Sequence, residues 1–327
     1  MSRHQPSLAR WAGVAALALH LIAARAEPLV LAASRGPVSA AVYVAQDRGF
    51  FEREGVAVQL RDCSSGRQCL ELMRQGQADL ATAAELAVVL ASFKRHDLAI
   101  VCTVSTSSHQ IKLVVRRSSG VGGAEGVKGR RVGYVAASSS QYFLDTWVTF
   151  HGIDPRDMTQ VPLEPDALVD ALRLGRVDAV AVWEPQASRA ISALGPDALV
   201  LPNPRVYTQH FLVVTERPRL QGRSAEVGHL LRALVKAERF IAERPHEAAA
   251  ALQARLQVDA ATARAQLKEH DYRIRLDQSL ISTMEEQARW AVREGLVDVR
   301  ERPASLLHTI EPALLRRVSP RAVSLVQ

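Results

Sequence analysis

Residues 127–185 decide the fold, and their sequence is VKGRRVGYVAASSSQYFLDTWVTFHGIDPRDMTQVPLEPDALVDALRLGRVDAVAVWEP. A short strand pattern ends at Tyr134, a serine-rich loop follows, and a helical pattern covers residues 141–151. The apolar run 179–182 then marks another strand, which ends in Trp183-Glu184-Pro185. Strands that alternate with helices of this length predict a parallel sheet covered by helices on both faces.

The loop Ser138-Ser139-Ser140, with Gln141 after it, lies at the start of the predicted helix. The first turn of a helix has unpaired backbone N–H groups and the positive end of the helix dipole, so it favours an anion. Trp183 and Glu184, at the next strand exit, would give a bound ligand an aromatic wall and a polar partner. The alternative is an ordinary helix cap for the serines and a core position for Trp183.

The same alternation precedes this stretch, with predicted strands at 29–33, 56–61, 79–82, 99–104 and 111–115. Helical patterns at 40–53, 68–75 and 85–95 separate the first four. Such sheets bind ligands at the carboxyl ends of their strands. The strand exits therefore nominate Ser34, Arg35, Ser64, Ser65, Gly66, Thr82, Glu85 and His109.

Two residue types among these candidates bear on the ligand's charge. Arg35 could pair bidentately with a sulfonate or carboxylate, although an arginine in such a loop is commonly solvated. Glu85 and Glu184, if they face the ligand, would repel a simple anion. Two such acids would favour a zwitterion or an amino-bearing heterocycle over nitrate.

Four segments, in this order, resemble periplasmic substrate-binding proteins of ABC importers, in the branch that binds sulfonates, taurine, nitrate and thiamine precursors. They are AVYVAQDRGFFEREGVAVQL (41–60), MRQGQADLATAAE (73–85), VKGRRVGYVAASSSQYFLDTWVTFHGI (127–153) and LRLGRVDAVAVWEP (172–185). Two of them contain a Gly-x-x-Asp pattern before an apolar run, at Gly76/Asp79 and Gly175/Asp178. The resemblance extends from about Leu29 to about Thr215. The rest of the chain agrees only in being helical, with patterns at 227–243, 245–257, 260–270 and 280–294.

This resemblance implies an α/β, two-lobed periplasmic-binding-protein fold of type II-like character, with a mostly parallel sheet in each lobe and the ligand cleft between the lobes. Lobe 1 is expected at 27–116 and 205–327, and lobe 2 at 117–204. The implied function is the extracytoplasmic solute-binding component of an ABC transporter. It would capture a small organic anion or zwitterion, either sulfonate-like, nitrate-like or a pyrimidine precursor, by hinge closure. No cofactor is expected, the partner is an inner-membrane permease, and the protein is expected to be monomeric.

Residues 1–26 have the pattern of a cleaved secretory signal, which predicts a periplasmic location. Arg3 and Arg10 precede an apolar core at 13–24, too short for a membrane span, and Ala24-Arg25-Ala26 is a cleavage site. Removal of three arginines and no acid lowers the formal net charge from +7 to +4, since 7 − 3 = 4. Without a basic stripe or stacked aromatic residues, the chain is not expected to bind nucleic acid.

Cys63 and Cys69 could form a disulfide in an oxidising compartment, or they could be unrelated small residues. Two other functions remain open. The first is an enzyme on the same scaffold, desulfinase-like or pyrimidine-forming, with Cys63 as nucleophile. The second is a periplasmic solute sensor. The histidines lack H-x-x-x-H spacing, so no metal site is expected, and no G-x-S-x-G elbow occurs.

Overall fold

Two five-stranded sheets form the centre of the protein, in a computed structural model that describes residues 27–301, 303 and 305–326. The predicted signal, 1–26, lies outside the described residues. The strands are β1 (Leu29–Ser34), β2 (Val58–Cys63), β3 (Leu80–Ala84), β4 (Leu98–Ser107), β5 (Ile111–Arg116), β6 (Arg131–Tyr134), β7 (Thr159–Pro162), β8 (Ala179–Trp183), β9 (Ala198–Val200), β10 (Gln209–Glu216), β11 (Leu276–Asp277) and β12 (Val323–Ser324).

Helices connect and cover these strands. They are α1 (Ala40–Asp47), α2 (Phe50–Arg53), α3 (Gly66–Arg74), α4 (Glu85–Ser92), α5 (Ser139–Phe150), α6 (Pro165–Arg173), α7 (Gln186–Leu194), α8 (Arg217–Gly222), α9 (Ser224–Glu243), α10 (Pro245–Leu256), α11 (Ala260–Lys268), α12 (Gln278–Arg293) and α13 (Pro312–Val318). The predicted helix at 40–53 is divided because Gly49 has a φ of +62°, which interrupts the right-handed helix. Among the described residues, none of these helices has the length and apolar character needed to cross a membrane.

Both sheets have the same construction, which confirms the predicted two-lobed α/β fold. The first has the order β2-β1-β3-β10-β4, and the second has the order β7-β6-β8-β5-β9. Four strands of each sheet share one direction. The fifth strand is β10 in the first sheet and β5 in the second. The chain enters it directly after crossing from the other lobe, and it is antiparallel to both of its neighbours.

The boundary between the lobes differs from the predicted one at 116/117. β5 pairs with β8 and β9, so it belongs to the second lobe, and the first crossing lies at 108–110. The glycine- and serine-rich stretch 118–123 is therefore a loop within lobe 2. The return crossing lies at 201–208, ahead of β10. An apolar strand pattern predicts a strand but does not tell which sheet the strand joins.

The C-terminal helices pack on lobe 1, as α9 and α10 contact α1 and α12 contacts α4. Their apolar residues belong to a large core that also includes β1, β3, β4 and the buried side of α5. A smaller apolar cluster around Leu168, Leu172 and Val180 lies within lobe 2. The larger core extends across both crossings, so the positions of the two lobes are linked by packing.

Candidate functional site

A cavity of about 800 Å³ lies between the two lobes, where strands of both sheets end. Nine of the predicted site residues line it: Ser34, Arg35, Ser64, Ser65, Gly66, Ser138, Ser139, Trp183 and Glu184. Gln110, from the first crossing, and Gln209, at the start of β10, also line it. The structure therefore brings most of the nominated strand exits together at one cavity.

Two serine-capped helices begin at this cavity. Ser65 is the N-cap of α3, and its Oγ accepts the N–H of Gln68 at 3.3 Å. Ser138 is the N-cap of α5, and its Oγ accepts the N–H of Ser140 at 3.1 Å. These caps satisfy one donor each, and the residues that open the two helices, Gly66 and Arg67 on α3 and Ser139 on α5, also line the cavity. One helix comes from each lobe, so an anion could interact with both.

Gly66 has to be a glycine because α3 begins in close contact with β3. A Cβ at this position would lie 2.8 Å from the Cα of Ala83 and 3.0 Å from the backbone nitrogen of Ala84. Both are backbone atoms that cannot move aside. The absence of a side chain therefore brings the start of α3 against the third strand and into the wall of the cavity.

The charged side chains around the cavity are predominantly basic. Five cations and three acids line it: Arg35, Arg67, Arg74, Lys94, Arg95, Glu71, Glu164 and Glu184. Arg74 donates to Glu71 at 2.6 Å, and Arg95 lies 2.7 Å from both Asp97 and Glu216. Among the described residues, Arg35, Arg67 and Lys94 have no ion-pair partner. Within the described residues the cavity therefore has three cations and one acid, Glu164, without an ion-pair partner, and two helices begin at its wall, which makes it electrostatically suited to an anion.

Four of the other predicted residues lie elsewhere for local reasons. Thr82 is buried, and its Oγ accepts the N–H of Ser34 at 2.9 Å. Ser140 donates to the carbonyl of Ala181 at 2.7 Å, and Gln141 accepts the N–H of Ala137 at 2.8 Å. His109 lines a separate cavity of about 300 Å³, whose wall also includes Arg205 and Thr208 of the return crossing. Successive residues at a helix start point in different directions, so only Ser138 and Ser139 of the run 138–141 face the cavity.

Glu85 is the fifth, and its predicted role at the ligand is wrong because the side chain is completely buried. Its carboxylate accepts hydrogen bonds from the hydroxyl of Tyr207 at 2.5 Å, the N–H of His210 at 2.9 Å and Nε2 of Gln287 at 2.8 Å. Burial raises the pKa of Glu85 to about 7, against the opposing effect of the Tyr207 and Gln287 hydrogen bonds. Glu85 therefore ties the return crossing to α12 and does not contact the cavity.

Glu184 lies at the cavity wall, but its carboxylate is already fully bonded. It accepts from Nζ of Lys112 at 3.0 Å, from the N–H of Ser188 at 3.1 Å and from Nε2 of Gln266 at 3.1 Å. Lys112 also lies 2.7 Å from Glu269. Burial disfavours the Lys112 charge, but the two carboxylates outweigh it and raise the pKa of Lys112. The argument for a zwitterion from two cleft acids is therefore not supported.

Cys63 and Cys69 form a disulfide, with a Cα–Cα distance of 5.5 Å. Cys63 consequently has no free thiol for the nucleophilic role considered above. Cys102 is buried, and burial raises the pKa of its thiol. Across 27–301 and the described residues beyond, no group of three or more His, Cys, Asp or Glu side chains is arranged to hold a metal ion.

Sequence reasoning missed the helix faces that extend the cavity. The residues on α3 are Arg67, Leu70, Glu71 and Arg74, those on α4 are Ala87, Leu90 and Ala91, and those just beyond α4 are Lys94 and Arg95. Two further residues, Leu296 and Val297, follow α12. The three-to-four spacing on both helices was the available signal, since it places these side chains on one face. Leu296 and Val297 had no comparable signal, because they lie more than 200 residues from α3 and α4 in the chain.

The chain is similar to several known proteins. It is 26% identical over 155 residues to the taurine-binding periplasmic protein of Escherichia coli (strain K12), which covers 47% of each chain. It is 23% identical over 125 residues to 4-amino-5-hydroxymethyl-2-methylpyrimidine phosphate synthase of Schizosaccharomyces pombe, which covers 38% of this chain and 36% of that one. These matches thus span about half the length of the relatives, or less.

The solved structure of the alkanesulfonate-binding protein SsuA from Xanthomonas axonopodis pv. citri has the same fold, with a TM-score of 0.73 at 20% identity. The alignment covers 91% of this chain and 98% of that one. The family described as NMT1/THI5 like matches residues 36–248, more than half of the 327 residues. This chain, with its two lobes and the cavity between them, belongs to the NMT1/THI5-like family.

Proposed function

We propose that this protein is an extracytoplasmic solute-binding component of an ABC transporter that captures a small organic anion with a sulfonate or carboxylate head. The observation that carries the proposal is the cavity between the lobes, which is lined by the caps of α3 and α5 and by Arg35. Each lobe contributes one helix N-terminus. Such an arrangement binds an anion more strongly when the lobes are together than when they are apart.

Closure would occur about the two crossings, 108–110 and 201–208. Two hydrogen bonds already join the lobes: Nε2 of Gln209 donates to Oγ of Ser139 at 2.9 Å, and Nε2 of Gln266, on α11, donates to the carboxylate of Glu184 at 3.1 Å. A ligand that bonds to both lobes would shift the population toward this closed arrangement. The closed protein would then be the form that the permease recognises.

The names of the taurine-binding and alkanesulfonate-binding relatives support this class of ligand, and the signal pattern at 1–26 supports a periplasmic location. An enzyme on this scaffold is less well supported, because the sulfur of Cys63 is bonded to Cys69. A solute sensor would use the same cavity and the same closure, with a membrane receptor in place of the permease.

The test is isothermal titration of residues 27–327 with short n-alkanesulfonates, n-alkanoates, taurine and nitrate. We expect at least one organic anion to bind, and a ligand at 100 times its Kd to stabilise the protein by about 2.7 kcal/mol. Arg35→Met should weaken binding at least tenfold, because it removes a cation from the cavity without touching the core. Arg156→Met is the matched control, since Arg156 is an exposed surface residue paired with Asp154. Equal affinities in the two variants would contradict the proposed site.

A further inference from the structure

The disulfide between Cys63 and Cys69 encloses part of the cavity wall. Cys63 is the last residue of β2, and Cys69 is the fourth residue of α3. Every residue between the two cysteines lines the cavity, and we call these residues the cystine loop: Ser64, Ser65, Gly66, Arg67 and Gln68. Among the described residues that line the cavity, no other unbroken run is longer than three. The covalent link therefore closes the largest continuous piece of the wall.

The loop begins at a strand that is weakly held. β2 is at the edge of its sheet and pairs with β1 alone. Of its six residues, Cys63 is the one that is buried. At the loop itself, the carbonyl of Cys63 accepts the N–H of Arg35 at 3.0 Å. A strand with one neighbour and little buried surface opens more easily than a central strand.

The loop ends at a helix that is firmly held. Cys69 is completely buried, and α3 packs against β1 and β3. Gly66 brings the start of this helix against the backbone of Ala83, as described above. The disulfide therefore fastens the exposed edge strand to the core through α3. Without this link, the two ends of the loop would be held by very different amounts of packing.

The hydrogen bonds of the cystine loop do not replace the link. The N–H of Ser64 donates to Oε1 of Gln68 at 2.6 Å, and the N–H of Gln68 donates to Oγ of Ser65 at 3.3 Å, but both bonds are exposed to water. The cap loop of α5 differs, because Oγ of Ser140 accepts the N–H of Val135 and donates to the carbonyl of Ala181 in buried surroundings. Exposed hydrogen bonds contribute little net stability, since water competes for the same groups.

Resting on the proposed function, we infer that the Cys63–Cys69 disulfide positions the cystine loop for the ligand, so that the oxidised protein binds its anion more tightly than the reduced protein. Cys63 and Cys69 are positioning residues, because neither lines the cavity. The N–H groups of Gly66 and Arg67 open α3 and have no intrahelical acceptor, so an anion can accept from them when the loop is held in place. A loop that is already ordered loses less conformational freedom when the ligand binds.

The experiment removes the link and measures binding by titration calorimetry. The probe is the anion that binds residues 27–327 most tightly among the n-alkanesulfonates, n-alkanoates, taurine and nitrate. Cys63→Ala combined with Cys69→Ala should weaken binding about tenfold, because the loop must then be ordered by the ligand. Cys102→Ala is the matched control, since Cys102 is also buried but has a free thiol. We expect it to bind like the wild type.

Two further measurements separate positioning from a general effect on stability. Without ligand, the amide hydrogens at positions 68 and 69 should exchange about tenfold faster in the double alanine variant, while those at 135–140 should not change. In a dithiothreitol redox buffer, the wild-type disulfide takes two electrons and two protons from the dithiol, which becomes a cyclic disulfide. Saturating ligand should shift this equilibrium toward the protein disulfide by the same factor as the loss of affinity, because the coupling is reciprocal. Alkylation and mass spectrometry measure the shift.

Each outcome decides the inference. Equal affinities of the wild type and the double alanine variant would overturn it and leave the proposed function standing, as would weaker binding with unchanged exchange at positions 68 and 69. Cooperative urea unfolding tests the fold, and Cys63→Ala combined with Cys69→Val, which keeps more core volume, replaces the alanine pair if that pair is unfolded. If neither pair folds, the disulfide serves the fold and not the loop, and the inference is overturned. If none of the anions binds the wild type, both proposals are overturned.

Discussion

The middle strands of the two sheets, β3 and β8, are preceded and followed by the same residue types at the same spacing. The pattern Gly-x-x-Asp followed six residues later by Glu gives Gly76, Asp79 and Glu85 around β3, and Gly175, Asp178 and Glu184 around β8. The two glycines have φ values of +71° and +68°. The two aspartates accept the N–H at the start of the neighbouring parallel strand: Asp79 accepts from Val30, in β1, at 2.8 Å, and Asp178 accepts from Arg131, in β6, at 3.0 Å.

The two glutamates share a position but differ in the charge of their partners. Each bonds to the strand that crosses from the other lobe, Glu85 to the N–H of His210 and Glu184 to Nζ of Lys112. Each also accepts from a glutamine on a C-terminal helix, Gln287 or Gln266. Glu184 has a cation beside it, whereas Glu85 has only neutral donors. One framework position can therefore hold a paired charge in one lobe and a carboxyl with a raised pKa in the other.

The largest effect that would test this comparison is expected for Glu184→Ala. Lys112 would lose its buried partner, and a broken buried pair costs about 3 kcal/mol of the free energy of unfolding. Urea unfolding measures this loss. Glu269→Ala removes the more exposed partner of the same lysine, whose side chain is 30% exposed, and should cost less than about 1 kcal/mol. Equal losses in the two variants would mean that Glu184 is not the main anchor of Lys112.

A second effect concerns Glu85 and depends on pH. Because its pKa is raised from about 4.5 to about 7 in the fold, its stabilising contribution is complete below about pH 4.5 and is lost as pH rises through about 7. The wild-type protein should lose up to about 3 kcal/mol from this group by pH 8.5. Glu85→Gln cannot ionise, so its stability relative to the wild type should increase between pH 5 and pH 8.5.

Urea unfolding at both pH values measures this difference. Glu243→Gln, at an exposed position on α9, is the matched control, and we expect the same difference from the wild type at both pH values. If Glu85→Gln behaved like this control, Glu85 would be ionised in the fold at neutral pH. The contrast between the two glutamates would then disappear.

The fold could be predicted from the sequence because its signals are local. The strand and helix patterns are short-range, and Asp259, before a predicted helix, is the N-cap of α11 and accepts the N–H groups of Ala261 and Thr262. Ser65 and Ser138 were predicted at the cavity for the same reason. Each of these serines lies between the end of a strand pattern and the start of a helical pattern, and about ten residues of sequence are enough to recognise both patterns.

The roles of the two glutamates could not be predicted, because their partners are distant in the chain. Tyr207 is 122 residues from Glu85, and Lys112 is 72 residues from Glu184. Nothing near either glutamate indicates whether a tyrosine or a lysine will face it. The sheet to which β5 belongs could not be predicted for the same reason, since β5 pairs with β8, whose residues are far along the chain.

The smallest effects are expected for substitutions of the two aspartates. These substitutions test whether the Gly-Asp-Glu sets around β3 and β8 contribute equally and independently to stability. Asp79→Asn and Asp178→Asn each keep an oxygen that accepts the strand N–H, but they lose ion pairs to Arg219 and Arg223 in lobe 1 and to Arg131 and Arg116 in lobe 2. These pairs are partly exposed, so each change should cost about 1 kcal/mol by urea unfolding. If the two sets are independent, the double variant should lose the sum of the two single losses in free energy of unfolding, within about 0.5 kcal/mol. A larger deviation would show that the two lobes are energetically coupled through the common core. The Gly-Asp-Glu sets around β3 and β8 would then not stabilise their lobes separately.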